Sequence, residues 1–257
     1  MDIAKKIAEE LKIQVWQVEA VIKLIDEGNT IPFIARYRKE MTGALNDETL
    51  RNLHERLLYL RNLEEKKEQV INAITDQGKM TEDLKKKILS AETLVAVDDL
   101  YRPYRPKKQT RATKAKEKGL EPLANILLLQ KTTKSMEEEA AAFVNAEKGV
   151  ANAKEAIAGA KDIIAEMIAD MADYRKSIRN CTMKQGSLVV KAKDEKAESV
   201  YEMYYDFREP LSKVTGYRVL AINRGEKEKF LTVKVEAPDV QIVNALNKTM
   251  VKDNLNT

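Results

Sequence analysis

A run of aliphatic residues at three- and four-residue spacing constrains the fold of this chain more than any other feature. The run extends from Asp47 to about Gln77, and Gly78 ends it. Because an α-helix repeats every 3.6 residues, such spacing puts the aliphatic side chains on one face of a single long helix. The members of this face are Leu50, Leu53, Leu57, Leu60, Leu63, Val70, Ile71 and Ile74.

The same period predicts most of the remaining chain to be helical. The predicted helices lie at 2–11, 14–27, 30–40, 81–90, 92–100, 119–129, 135–145, 150–170 and from there to about Met183. After Gly186 the pattern predicts a short strand at 187–191, helices at 194–206 and 213–224, a strand at 229–235 and a helix at 239–252. The aromatic share of 5% and the nine glycines also suit aliphatic helix packing.

These elements predict a mainly α fold, an elongated multi-helix assembly with a small α/β insert. We expect three parts: a helical domain at 1–185, a small α/β unit at 186–236, and a helix at 237–257 that leads toward further domains.

Positive charge concentrates between residues 101 and 118, which we call the basic segment. It holds eight lysines and arginines against one acid, a net charge of +7, whereas the whole chain totals +4 and the other residues therefore sum to −3. Such a patch on a mildly acidic body favours nucleic acid as the partner, because arginine forks and lysine ammonium groups match phosphate oxygens. The residues expected to contact phosphate are Arg102, Arg105, Lys107, Lys108, Arg111, Lys114 and Lys116.

The tyrosines of the basic segment allow more than one interpretation. Tyr101 and Tyr104 offer rings on which unpaired bases can stack, and the neighbouring prolines are expected to hold the Tyr-Arg-Pro repeat extended. Alternatively, the segment is a structural clasp, with its arginines paired to acids such as Asp98 and Asp99 and its tyrosines packed on helices. Docking to a protein partner is a third interpretation, and the sequence leaves all three open.

Catalytic chemistry is scarce in this sequence. It contains no Gly-x-Gly-x-x-Gly or Walker-type phosphate loop, one histidine (His54) and one cysteine (Cys181). Asp170 and Asp173 could converge on one helix face, but no third ligand is near. We therefore expect no enzymatic activity, metal or cofactor. The lack of an uncharged apolar run of about eighteen residues predicts no membrane span and a cytoplasmic location.

Three groups of sequence strings are distinctive. The first is 30–40 (TIPFIARYRKE) with Thr42-Gly43, the second is 99–108 (DLYRPYRPKK) with 110–112 and 119–124, and the third is 223–228 (NRGEKE). In this order they closely resemble the N-terminal region of the bacterial Tex family of transcription accessory proteins. The resemblance spans residues 1–236.

The resemblance implies that residues 1–185 form a Tex-like N-terminal domain with a helix-turn-helix-like unit. It also implies a cytoplasmic factor that associates with nucleic acid in transcription. Tex proteins are much longer, with an RNase-H-like domain, helix-hairpin-helix elements and an OB-type RNA-binding domain, so we expect this chain to be an N-terminal piece. Where the chain has Gly216-Tyr217-Arg218, the family pattern has a histidine before the arginine, and no role for that histidine transfers.

We therefore predict a non-catalytic nucleic-acid-binding module that acts mainly through phosphate contacts. Arg36, Arg38 and Lys39 form a second basic spot that we expect to contribute. The alternative is a structural scaffold that positions downstream domains and contacts RNA polymerase or ribosomal proteins without binding nucleic acid directly.

Overall fold

The computed structural model describes residues 2–252, which fold into two compact units. The first unit runs to Tyr104 and the second begins at Arg105. The described residues contain thirteen α-helices and one three-stranded sheet. This architecture confirms the predicted mainly α fold with a small α/β insert.

The first unit is built around the predicted long helix. Its helices are α1 (Ile3–Leu11), α2 (Val15–Asp26), α3 (Ile31–Tyr37), α4 (Asp47–Asp76), α5 (Glu82–Ser90) and α6 (Leu94–Tyr101). The leucine face of α4 lies in one core with apolar residues of the five shorter helices. A long apolar face on a helix needs neighbours to cover it, and these helices provide the cover.

Local signals set the ends of these helices. The Asn46 side chain caps α4 by accepting a hydrogen bond from the Thr49 backbone amide at 2.8 Å. Thr81 and Thr93 cap α5 and α6 in the same way. Gly78, with a φ of +65°, follows the end of α4 in the left-handed conformation that favours glycine.

The helical part of the second unit has a core of small side chains. Its helices are α7 (Arg111–Glu117), α8 (Glu121–Leu129), α9 (Met136–Ala141), α10 (Ala153–Asp170) and α11 (Ala172–Gln185). Helix α10 packs on α7, α8 and α9, and buried alanines and leucines fill the space between them. Gly159 on α10 permits close packing, since a Cβ there would lie 2.4 Å from Cδ1 of Leu120.

A three-stranded antiparallel sheet follows Gly186. Its strands are β1 (Ser187–Ala192), β2 (Asp206–Pro210) and β3 (Leu231–Glu236), in the order β2-β1-β3. Val190 of β1 pairs with Phe207 of β2 and Val233 of β3, and this face of the sheet contributes to a third core. Helix α12 (Gly216–Lys227) adds Ile222 to that core, and α13 (Asp239–Met250) follows the sheet.

The predicted helix at 194–206 was wrong. This stretch forms a loop, one turn of 3-10 helix at Glu202–Tyr204, and the first residue of β2. The phenol of Tyr205 donates to the Ala197 carbonyl and lies 2.9 Å from the Ser199 hydroxyl. These bonds stabilise the loop, and β2 gains backbone hydrogen bonds to β1 instead of helical ones.

The extended conformation predicted for the Tyr-Arg-Pro repeat was also wrong, because Arg102–Tyr104 form a 3-10 turn. The predicted boundaries after residues 185 and 236, and the helix-turn-helix-like unit, stay predictions. Of the predicted last helix, residues 253–257 lie outside the described residues. No helix within residues 2–252 is long and apolar enough to cross a membrane.

Candidate nucleic-acid interface

The basic segment belongs to both compact units, so we describe its two parts separately. Tyr101, Arg102 and Tyr104 lie at the end of the first unit, and the residues from Arg105 onward belong to the second. Both tyrosine rings are half-buried and pack against the core of the first unit. The Tyr104 carbonyl also accepts a hydrogen bond from the Gln77 amide at 3.0 Å. The tyrosines therefore have a packing role, as the clasp interpretation expects.

Lys107 is held by two carboxylates of α10. Its ammonium donates to Glu166 Oε1 at 2.9 Å and to Asp170 Oδ2, and Asp170 is only 6% exposed. Burial disfavours the charged amine, but the two hydrogen bonds outweigh it, so the pKa of Lys107 is raised above 10.5. Burial likewise works against the Glu166 carboxylate, yet hydrogen bonds from Lys107 and Thr110 lower its pKa below 4.5. We call these three charged side chains the Lys107 clasp.

The cations after Lys107 are exposed to solvent because of the way in which α7 packs. Thr110 caps the helix: its hydroxyl accepts from the Thr113 amide at 3.1 Å, and the Thr113 hydroxyl accepts from the Thr110 amide at 2.6 Å. Ala112 and Ala115 are buried against α10. Because one face of α7 is thus buried, its long polar side chains occupy the others. The exposed residues of this helix and the loop before it include the cations Lys108, Arg111, Lys114 and Lys116.

A groove of about 260 Å³ lies between α7 and α10. Arg111, Lys114 and Lys118 line one side, while Glu155 and Asp162 lie on the other. The Arg111 side chain is 87% exposed, and its Nε is 3.7 Å from Asp162 Oδ1. That separation is too long for a hydrogen bond, and exposed pairs of this kind contribute little to stability. The Arg111 guanidinium is therefore accessible to an anionic ligand.

Two other cations of the segment make local contacts. The Lys116 ammonium lies 3.0 Å from Glu121 Oε1, in a pair whose members are both about half exposed. The Lys118 ammonium donates to the Gly149 carbonyl at 2.7 Å. Lys118 was not among the predicted site residues although it belongs to the same charged run, which was the signal available in the sequence.

The second basic spot lies on α3 and the turn after it. Arg36 and Lys39 are exposed. Arg38 folds back instead, with its guanidinium carbon 5.0 Å from the centre of the Phe33 ring. The three cations therefore present different chemistry, two of them directed to solvent and one placed over an aromatic face.

Metal and nucleophile chemistry is sparse in the part of the chain that the structure describes. Residues 2–252 contain no group of three or more histidine, cysteine, aspartate or glutamate side chains that could hold a metal ion. Asp170, which the sequence pairs with Asp173, is bonded to Lys107. His54 is half-buried on α4, and Cys181 borders an apolar cavity of about 170 Å³ between α11 and α13.

Comparison with known proteins identifies the relatives of this chain. A family model described as the Tex-like protein N-terminal domain matches residues 1–75, and one described as Tex central region-like matches residues 131–257. The Transcriptional accessory protein Tex of Neisseria gonorrhoeae is 40% identical over 239 residues, which cover 92% of this chain and 31% of that protein. The chain belongs to the Tex family.

Two further relatives match almost the whole of this chain. The Uncharacterized protein YdcI of Bacillus subtilis (strain 168) is 45% identical over 254 residues, or 98% of this chain and 35% of that protein. The human S1 RNA-binding domain-containing protein 1 is 34% identical over 248 residues, or 93% of this chain and 24% of that protein. The chain thus spans a quarter to about a third of the length of these relatives. The basic segment lies between the two regions matched by the Tex family models and inside the match to the Bacillus protein.

Proposed function

We propose that this chain is a non-catalytic nucleic-acid-binding N-terminal module of a Tex-like transcription accessory factor. The observation that carries the proposal is the placement of Lys108, Arg111, Lys114 and Lys116 at exposed positions on and before α7, whose opposite face is buried. Cations held at fixed positions on a helix can contact successive phosphates of one strand, and phosphate contacts dominate the affinity of such interfaces.

The other predicted residues have different roles in this proposal. Arg105 precedes the exposed group and adds charge to it, while the Lys107 clasp holds the loop that leads into α7. On the first unit, Arg102, Tyr101 and Tyr104 contribute at the end of α6, and Arg36, Arg38 and Lys39 form a separate contact. Because the contacts are to phosphate, we expect weak sequence preference and strong salt dependence.

Names of relatives are consistent with this function. The gonococcal relative is named a transcriptional accessory protein, and the human relative is named for an RNA-binding domain. We propose that this chain likewise acts in transcription, in the cytoplasm, without a metal or cofactor of its own. RNA polymerase and ribosomal proteins are the further partners that we propose.

The competing function is a structural scaffold without direct nucleic-acid contact. The Lys107 clasp favours it, because one predicted phosphate ligand already serves two carboxylates. The half-buried tyrosines favour it as well. A scaffold of this kind would position downstream domains and contact the transcription machinery.

Charge removal at the exposed cations distinguishes the two functions. The test compares fluorescence anisotropy of labelled single- and double-stranded DNA and RNA with the unchanged chain and with a variant carrying Ala at four positions. Those positions are Lys108, Arg111, Lys114 and Lys116. We expect a loss of affinity of more than tenfold at low salt, with unchanged circular dichroism.

A matched control removes the same charge from the same unit. It replaces four exposed lysines outside the basic segment with Ala, namely Lys131, Lys134, Lys154 and Lys161. We expect this control to retain most of the affinity. Equal losses in the two variants would mean that binding reflects net charge alone, and no binding by the unchanged chain would leave the scaffold function.

A further inference from the structure

Two exposed aromatic rings accompany the second basic spot on the first unit. Trp16, near the start of α2, is 52% exposed, and Tyr37, the last residue of α3, is 64% exposed. Trp16 is the one tryptophan of the chain. Tryptophan is highly buried on average in folded proteins, so an accessible Trp16 in the same unit as an accessible Tyr37 calls for an explanation.

The turn after α3 fixes the position of Trp16. A Cβ on Gly43 would lie 2.7 Å from Cη2 of Trp16 and 2.5 Å from Nε2 of Gln17, so both side chains rest directly on the glycine. The Gln17 amide donates to the carbonyls of Thr42 at 3.1 Å and Gly43 at 3.4 Å. Gly43 has a φ of +64°, which also favours glycine. The indole therefore lies on a defined backbone surface.

The same turn is bonded to the backbone of Arg38 and Lys39, which follow α3. Thr42 is buried, and its hydroxyl lies 3.3 Å from the carbonyls of Arg38 and Lys39. On the helix itself the Tyr37 and Phe33 rings are 5.2 Å apart, and the Arg38 guanidinium covers Phe33 at 5.0 Å. The Tyr37 ring thus packs near an aromatic neighbour, and the backbone of Arg38 and Lys39 is bonded to the turn against which Trp16 packs.

Charge indicates what this surface attracts. Arg36, Arg38 and Lys39 stand against one acid, Glu40, so the sequence from 36 to 40 carries a net charge of +2. Accessible rings next to cations match a ligand that alternates flat apolar groups with negative charges. Single-stranded nucleic acid has this composition, whereas a duplex keeps its bases stacked inside.

We infer that Trp16 and Tyr37, with Arg36 and Lys39, form a base-stacking surface for single-stranded nucleic acid, which we call the Trp16 surface. The bases stack on the two rings, and the two cations contact phosphates. This inference rests on the proposed function, but it assigns residues of the first unit that are remote in sequence from α7, and it specifies the single-stranded form.

Tryptophan fluorescence tests the inference at this one site. A short oligothymidylate or oligouridylate is added to the chain, and the emission of Trp16 is followed together with the anisotropy of a label on the oligonucleotide. We expect saturable quenching of Trp16 with the same midpoint as the anisotropy change. A duplex of equal length and polyglutamate are expected to leave the emission nearly unchanged.

Substitutions separate the ring from the charge. Tyr37→Ala is expected to weaken single-strand binding about fivefold or more, as stacking on one aromatic side chain predicts, whereas Tyr37→Phe retains the ring and the affinity. Gly43→Ala should displace Trp16 and lower both affinity and quenching without removing any ring. Leu58→Ala, at an exposed aliphatic position of the same unit, is the control. Circular dichroism melting confirms that each variant folds.

The outcomes distinguish this inference from the proposed function. Single strands that bind without quenching Trp16, and equally well to the Tyr37→Ala variant, would refute the Trp16 surface and leave binding at α7 intact. Equal quenching by a duplex or by polyglutamate would also refute it, the latter in favour of an acidic protein partner. If no nucleic acid binds the chain in either assay, both proposals fail.

Discussion

The ammonium of Lys107 is hydrogen-bonded to the carboxylate of Asp170, which follows it by 63 residues in the chain. Asp170 is the last residue of α10, and Lys107 lies in the loop that leads to α7. Glu166, one turn earlier on α10, completes the contact. This pair fixes the loop that precedes the exposed cations, and it ties the position of α7 to the C-terminal end of α10.

Replacing Lys107 with Met should destabilise the second unit. The substitution leaves Asp170, which is almost fully buried, without its ammonium partner, and we expect the free energy of unfolding to fall by about 2 kcal/mol. Urea unfolding followed by circular dichroism, and hydrogen exchange of the α10 amides, measure the effect. Lys108→Met, at an exposed position, is the control and should change stability little. Equal stabilities of the two variants would contradict the clasp.

The clasp should also make stability depend on acid pH. The pKa of Glu166 is lower in the folded chain than its usual value of 4.5, so its contribution is present above that value and is lost as the pH falls through the folded pKa. Between about pH 5 and about pH 3 the unchanged chain should therefore lose stability more steeply than a Glu166→Gln variant. Urea midpoints measured across this range test the difference, and parallel curves would show that Glu166 contributes nothing.

Two glycines of α12 should respond oppositely to alanine. A Cβ on Gly225 would lie 2.6 Å from Cδ1 of Leu231 and 3.1 Å from Cδ1 of Tyr201, in the third core. We expect Gly225→Ala to cost roughly 1–3 kcal/mol through overpacking. Gly216→Ala meets no atom within 4 Å and should be neutral or stabilising by up to about 1 kcal/mol. Thermal melting of the two variants gives the comparison. A Gly225→Ala variant more stable than the unchanged chain would show that the core can accommodate the added methyl group.

The salt dependence of nucleic-acid binding should distinguish residues that contact phosphate from the Lys107 clasp. If Lys114 contacts a phosphate, Lys114→Ala should reduce the slope of log K against log salt by about 0.9 on duplex DNA and by about 0.7 on single strands. The slope for Lys107→Met should change less, because its ammonium is engaged by two carboxylates. Anisotropy titrations at several salt concentrations provide both slopes. A larger change for Lys107 than for Lys114 would reverse the roles assigned here.

Helix prediction succeeded where apolar periodicity was strong. The leucine face of α4 and the cap Thr81 specify their helices locally, and both helices form as expected. The helix after Ser135 begins where it was predicted, but it ends at Ala141 and not at residue 145. Helix α7 went unpredicted because its buried face consists of only Ala112 and Ala115, and alanine gives a weak apolar signal among lysines. Its cap is Thr110, whose partner at the third helical position is Thr113 instead of the usual Glu or Gln.

The interface was harder to predict than the fold. The acids paired with Lys107 lie 59 and 63 residues away, so no local pattern identifies them. Asp98 lies 3.6 Å from Lys66, and Glu166 and Asp170 hold Lys107. The predicted pairing of the arginines of the basic segment with Asp98 and Asp99 stays a prediction. Strand β2 was missed because its partner β1 also lies outside its local window, and pairing with β1 decides its conformation.

Each of the three apolar cores draws on one uninterrupted stretch of the chain. Their buried members fall between residues 7 and 97, between 112 and 163, and between 188 and 231, without interleaving. During synthesis, the first core can therefore close before the second is complete, and the second before the third is complete. We expect the polypeptide to fold in successive steps from its N-terminal end, so that little apolar surface remains exposed while the rest of the chain is translated.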